Sequence, residues 1–172
     1  MKKVLLTLSL ALAASSAFGQ SNTAVRWQKI VGVITAPGID NPVAVTTDAS
    51  GNTNSIHSGG LPWATRGGSA RVNLSTGDGS FDVEGLVLVG GNATGTTGSV
   101  TSVVGTLVCN PGTVDQVILD TGAASLSPAG NAELSFKLNV PSTCNSPLFV
   151  IRAGVRWIAT GAVRVTGNAF SY

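Results

Sequence analysis

Cys109 and Cys144 are the only cysteines in the chain. Joining them would fix where everything between them can go, because disulfide-bonded Cα atoms lie within about 7 Å of each other. The chain opens with an export signal, so the mature protein is expected in an oxidising compartment. There, a lone cysteine pair reads as one disulfide. Closing a loop of about 35 residues stabilises a fold by roughly 3–4 kcal/mol in the chain-entropy account. A redox-active pair would be spaced more closely, as in C-x-x-C. Both cysteines also sit at strand edges. Val103–Val108 runs into Cys109 and Asn110-Pro111-Gly112 turns the chain, while Pro141-Ser142-Thr143 leads into Cys144.

Residues 1–19 read as a signal peptide. Lys2 and Lys3 form its positive start, and Val4 to Ala14 is an apolar run too short to span a bilayer. Ala17-Phe18-Gly19 supplies small residues for cleavage before Gln20. Residues 20–166 then form one domain, large enough to bury a core of its own, and 167–172 form a tail. Losing Lys2 and Lys3 leaves eight basic residues against eight acidic ones. Such a balance offers no basic stripe for nucleic acid. Charged residues are 10% of the chain, and there are 22 glycines. Ordinary soluble domains carry about 25% charge. Hydrogen-bonding side chains in place of charges, with Gly and Asn turns, fit an exported bacterial β-protein, secreted or periplasmic.

Strand signals recur at roughly ten-residue spacing. Val25–Ile34 places Trp27, Val31 and Val33 on one face. Ser69–Ser75 turns Val72 and Leu74 inward. Phe81–Val89 turns Phe81 and Val83 inward and Asp82 and Glu84 outward, with a bulge or two-sided burial expected at Gly85. Val100–Cys109 and Val114–Asp120 follow. Gly130–Val140 alternates most clearly, with Leu134, Phe136, Leu138 and Val140 inward. Leu148–Thr160 and Ala162–Thr166 close the series. With eight or nine strands and no helix beyond the signal, the expected fold is all-β. It is a single antiparallel β-sandwich of Ig-like or Greek-key type, carrying one disulfide. A membrane barrel would need aromatic girdles, and aromatic residues are only 5% of the chain. The domain is therefore not expected to span a membrane once the signal is cleaved.

Chemistry-bearing residues are few. His57 is the only histidine; it lies in Thr35–Gly68, a long irregular region read as a loop, and no G-x-S-x-G elbow accompanies it. One histidine and a paired cysteine couple leave no zinc set, and the acids of Asp40-Asn41, Asp48, Asp78 and Asp82 read as turn residues rather than calcium ligands. Asp82 and Glu84 share a strand face without the aromatic groove a glycosidase would use. Arg152, Arg156 and Arg164 read as outward residues able to meet those acids across the sheet. Trp63, after Pro62 and near Arg66, is either a binding anchor or a plug over the end of the fold.

From Gly67 onward the chain resembles the CHRD domain, an Ig-like β-sandwich of secreted proteins. The resemblance rests on Gly68–Leu74 (GSARVNL), on Phe81–Leu86 (FDVEGL) and on a strand after Gly98-Ser99-Val100. It covers about 90 residues and implies the same sandwich. Ser102-Val103-Val104-Gly105 stands where that family carries a histidine segment, so no metal role carries over. Arg156–Gly161 is similar to the ends of other secreted bacterial proteins and implies no function.

The expected function is that of an exported, non-enzymatic module that binds a protein or surface partner. Trp63 and Arg66 are its candidate binding residues, with no catalytic set, metal or cofactor. A small exported hydrolase using the His57 loop is the alternative.

Overall fold

The computed structural model describes residues 23–39, 41–47 and 53–168. Residues 1–22, which include the expected signal peptide, Asp40, 48–52 and 169–172 lie outside the described residues. The strands are β1 (Thr23–Gly32), β2 (Ala44–Thr47), β3 (Thr53–Ser58), β4 (Trp63–Ala64), β5 (Gly67–Asn73), β6 (Asp78–Glu84), β7 (Val87–Leu88), β8 (Ser102–Cys109), β9 (Val117–Ser125), β10 (Ala132–Lys137), β11 (Leu148–Ala153) and β12 (Arg156–Asn168). Among the described residues there is no helix, and hence none long and apolar enough to cross a membrane.

The expected all-β, antiparallel fold is observed. Its main sheet runs β10-β6-β5-β1-β12-β11-β8-β9, with the β2–β3 hairpin attached to β12. All its pairings are antiparallel except β3 with β12, where His57 lies beside Arg156. β9 and β10, the two ends of that order, lie alongside each other. The architecture is therefore barrel-like, and the ladders do not divide into the two facing sheets of a sandwich. β12 carries the continuity. It is long enough to pair with β11 through Arg156–Thr160 and with β1 through Ala159–Asn168.

The inner face is filled by four aromatic rings. Trp27 on β1 meets Phe149 on β11 at 5.6 Å between centroids, and Phe81 on β6 meets Phe149 at 5.8 Å. Phe136 on β10 stacks on Phe149 at 6.2 Å. These contacts join strands from opposite stretches of the sheet, which is how a curled sheet closes over its own core. Gly105 on β8 makes the room: a Cβ there would sit 2.7 Å from Phe149 and 2.9 Å from Phe81.

Alternation in β10 and the following residues is as expected, with Glu133, Ser135, Lys137 and Asn139 exposed between more buried neighbours. β1 differs. Ile30 is buried and Val31 exposed, because Gln28 and Lys29 both face out and the inward phase shifts after Trp27. Leu148–Thr160 is not one strand. Gly154 (φ 58°) and the exposed Val155 form the turn between β11 and β12. Val114 is fully exposed in the β8–β9 connection, and β9 continues to Ser125. β6 ends at Glu84, where Gly85 takes φ 61° and redirects the chain; Leu86 beyond it is wholly buried. Thr35–Gly68 is more ordered than its composition suggests, since it holds β2, β3, β4 and the start of β5.

Cys109 and Cys144 are bonded, with their Cα atoms 4.7 Å apart. Asn110 reinforces the same corner from a left-handed backbone (φ 51°). Its side-chain amide donates to the carbonyls of Asp115 and Thr143, and its side-chain oxygen accepts from the Asn145 N–H at 2.8 Å.

Candidate functional site

Trp63 and Arg66, three residues apart, part company in the fold. Trp63 is 6% exposed. Its N–H donates to the Val33 carbonyl, and it pairs with Leu88 in the small β4–β7 sheet. Of the two alternatives for this residue, the burial matches the plug. Arg66 is exposed, and its N–H donates to the Glu84 carbonyl at 2.8 Å. Its side chain lies across Gly85, where a Cβ would meet Arg66 Nε at 2.6 Å. Gly85 thus serves twice: its positive φ turns the chain out of β6, and its missing side chain leaves a track for the arginine stem.

Arg66 stands at the rim of a cleft of ≈ 760 Å³ lined also by Asp82, Glu84 and Glu133, with Ala123, Ala124 and Ser125 of β9 on the far wall. Asp82 and Glu133 are direct cross-strand partners on β6 and β10. Like charges so placed destabilise a sheet. Ser69 partly relieves this by donating its hydroxyl to Asp82 Oδ1 at 2.7 Å. The loop from β9 to β10 is pinned to the same corner, with Leu86 N–H donating to Gly130 O and Gly85 N–H to Asn131 Oδ1. Ser127 N–H closes this loop onto Asn131 O at 2.9 Å. Beyond it β9 and β10 share no ladder, so the cleft lies over a seam with a free strand edge on each side.

The three outward arginines of the last strands do not meet Asp82 and Glu84. Arg152 pairs with Asp120, and Thr106 bridges the two at 2.7 and 2.8 Å. Arg156 donates to Ser58 O and Arg164 to Pro147 O. In the sheet β5 and β1 separate β6 from β12, and β12 further separates it from β11. The carboxylates of the cleft do not form a metal-ligand cluster, nor do any three His, Cys, Asp or Glu among the described residues.

His57 lines a separate cleft of ≈ 420 Å³ together with Gly38, Ile39, Ser58, Gly60 and Arg156. The hydroxyl of Ser55, two residues back along β3, is hydrogen-bonded to His57 Nε2. None of the described residues lining this cleft is a carboxylate. A third cleft, ≈ 710 Å³, sits at the disulfide corner and is lined mainly by Asn, Pro, Ser and Thr side chains.

Local periodicity places Asp82 and Glu84 on one outward strand face and does not connect them to Glu133. The signal that groups them is the pairing of β6 with β10, which is long-range in sequence and invisible to local periodicity. No family model, curated protein or solved structure matches the chain.

Proposed function

We propose that this is an exported, non-enzymatic β-domain that binds a protein partner through the cleft at the β9–β10 seam, with Arg66 as its positive rim residue. The observation that carries this reading is the cleft itself. It joins two strand edges without a ladder between them to the charged side chains of Arg66, Asp82, Glu84 and Glu133. Loops and edges on a rigid scaffold are where recognition concentrates. The one cross-link, between Cys109 and Cys144, is consistent with an oxidising, extracytoplasmic setting. The proposed CHRD likeness fits the same class of secreted module.

The test is co-purification from the exported fraction, comparing the native protein with Glu133→Lys. The expected result is a partner held by the native protein and lost by the variant, with thermal stability unchanged. A partner retained equally by both removes the cleft from the reading. The same preparation reports export, because the mature chain is expected to begin at Gln20.

The hydrogen bond between Ser55 and His57 supports a second reading, a small exported hydrolase in which His57 activates the serine hydroxyl as triads do. The lack of an orienting acid among the described cleft residues weighs against it. Turnover of an activated ester that is abolished by Ser55→Ala and by His57→Ala would establish the hydrolase. Absence of turnover, or turnover indifferent to both changes, dismisses it.

A further inference from the structure

We infer that the β9–β10 seam is a strand acceptor: β9 and β10, which lie alongside each other without a ladder, part to admit an extended, basic peptide segment along the free edge of β10. This rests on the partner-binding reading above and names the chemistry of the partner. Three observations carry it. First, every neighbouring pair in the main sheet is joined by a ladder except the two that meet at the seam. The edge of β10 facing β9 therefore presents main-chain donors and acceptors without ladder partners. Such an edge pairs readily with an incoming strand, and natural proteins blunt it with prolines, bulges or lysines when it is not used. β10 (AELSFK) has no proline, and its one lysine is at the far end, engaged with Asp78 at 3.4 Å.

Second, the inward side chains at the seam are incompletely covered. Leu134 and Phe136 on β10 and Leu119 on β9 are only partly buried, while Phe81, Leu107 and Phe149 on laddered strands are almost wholly so. An added strand would bring apolar side chains to cover them at every second position. Third, the outward side is acidic. Glu133, with Asp82 beside it across the ladder, would face the other set of side chains on the added strand. Residues directly opposite on paired strands approach to about 5 Å, so lysine or arginine opposite Glu133 would relieve the like-charge pair. An alternation of apolar and basic residues fits both faces, with main-chain bonds giving affinity and side chains giving selectivity.

The experiment uses fluorescein-labelled heptapeptides and the mature protein. One peptide alternates lysine and valine, and a second alternates glutamate and valine. Two further lysine–valine peptides are N-methylated at odd or at even positions. Expected are binding of the lysine peptide, none of the glutamate peptide, and loss of binding for one methylated peptide but not the other. That parity is the mark of bonding along a single edge. Asp82→Lys combined with Glu133→Lys, both on the exposed face, is expected to weaken the lysine peptide at least about tenfold with an unchanged melt. Equal binding of the two methylated peptides, or of the lysine and glutamate peptides, overturns the inference. So does a protein that elutes as a dimer and binds no peptide, its seam filled by a second copy. Loss of the co-purifying partner in Glu133→Lys without any peptide binding overturns the strand-acceptor inference alone. The absence of any such partner would instead count against the reading beneath it.

Discussion

Trp63 shows how much one residue's environment decides. A tryptophan after proline in a Gly/Ser-rich stretch has the composition of a recognition loop, yet this one belongs to β4, pairs with Leu88 of β7 and is 6% exposed. Truncating a buried aromatic side chain removes its transfer energy and leaves a cavity, so Trp63→Ala is expected to destabilise the fold by about 3–5 kcal/mol. Denaturant unfolding measures this directly, and a loss below about 1 kcal/mol would show that the side chain is not buried. Asn110 is a second case. Its side chain satisfies the carbonyls of Asp115 and Thr143 and the N–H of Asn145 beside the disulfide. Asn110→Ala leaves those groups without that partner and is expected to cost about 1–3 kcal/mol even with the disulfide intact. Its turn role was legible from Asn-Pro-Gly. The bridging was not, because Thr143 and Asn145 reach it only through the long-range Cys109–Cys144 closure. A glycine at position 105 was equally silent in the sequence, since its reason lies in the rings of Phe149 and Phe81.

Among the elements, β10 is the best tested by mutation. Phe136 faces the aromatic core and Lys137 faces solvent. Phe136→Ala is expected to cost about 3–5 kcal/mol, and Lys137→Ala well under 1 kcal/mol. Equal effects in chemical denaturation would contradict the register. Lys137 also carries a small pH signature. The Thr76 hydroxyl and the Lys137 ammonium hold the Asp78 carboxyl below its usual value of 3.8. A carboxyl lowered on folding adds stability above its unfolded value and loses it as pH falls through the folded one. Lys137→Ala should therefore cost a little stability at neutral pH, and that cost should fade as pH falls through the folded value. A change that persists undiminished in acid would contradict the assignment. Strand existence was legible wherever alternation was clean, as in β5, β6 and β10. It failed at β2 and β3, whose polar residues carry no period, and at the β11–β12 turn, where Val155 kept the apparent period through a reversal of direction. It also failed in β1, where two consecutive outward residues shift the phase.

At the scale of the whole molecule, strand content was readable in the sequence and sheet closure was not. Periodicity reports which side chains share a face, but not whether one sheet curls or two sheets stack. That depends on β12 pairing with β1 and β11 along its length, and on β9 and β10 meeting without a ladder. Of the candidate site, local sequence reading marks Arg66 and the shared face of Asp82 and Glu84. Asp82, Glu84 and Glu133 come together through the long-range pairing of β6 with β10. The central claim is that the seam between β9 and β10 is open. Backbone amide exchange, followed residue by residue by NMR, tests it most directly. β11 and β8, laddered on both sides, should be protected at successive amides. β9 and β10 should alternate, with slow amides bonded to β8 or β6 and fast ones facing the seam. Uniformly slow exchange along both strands would mean a closed ladder, and would contradict the account.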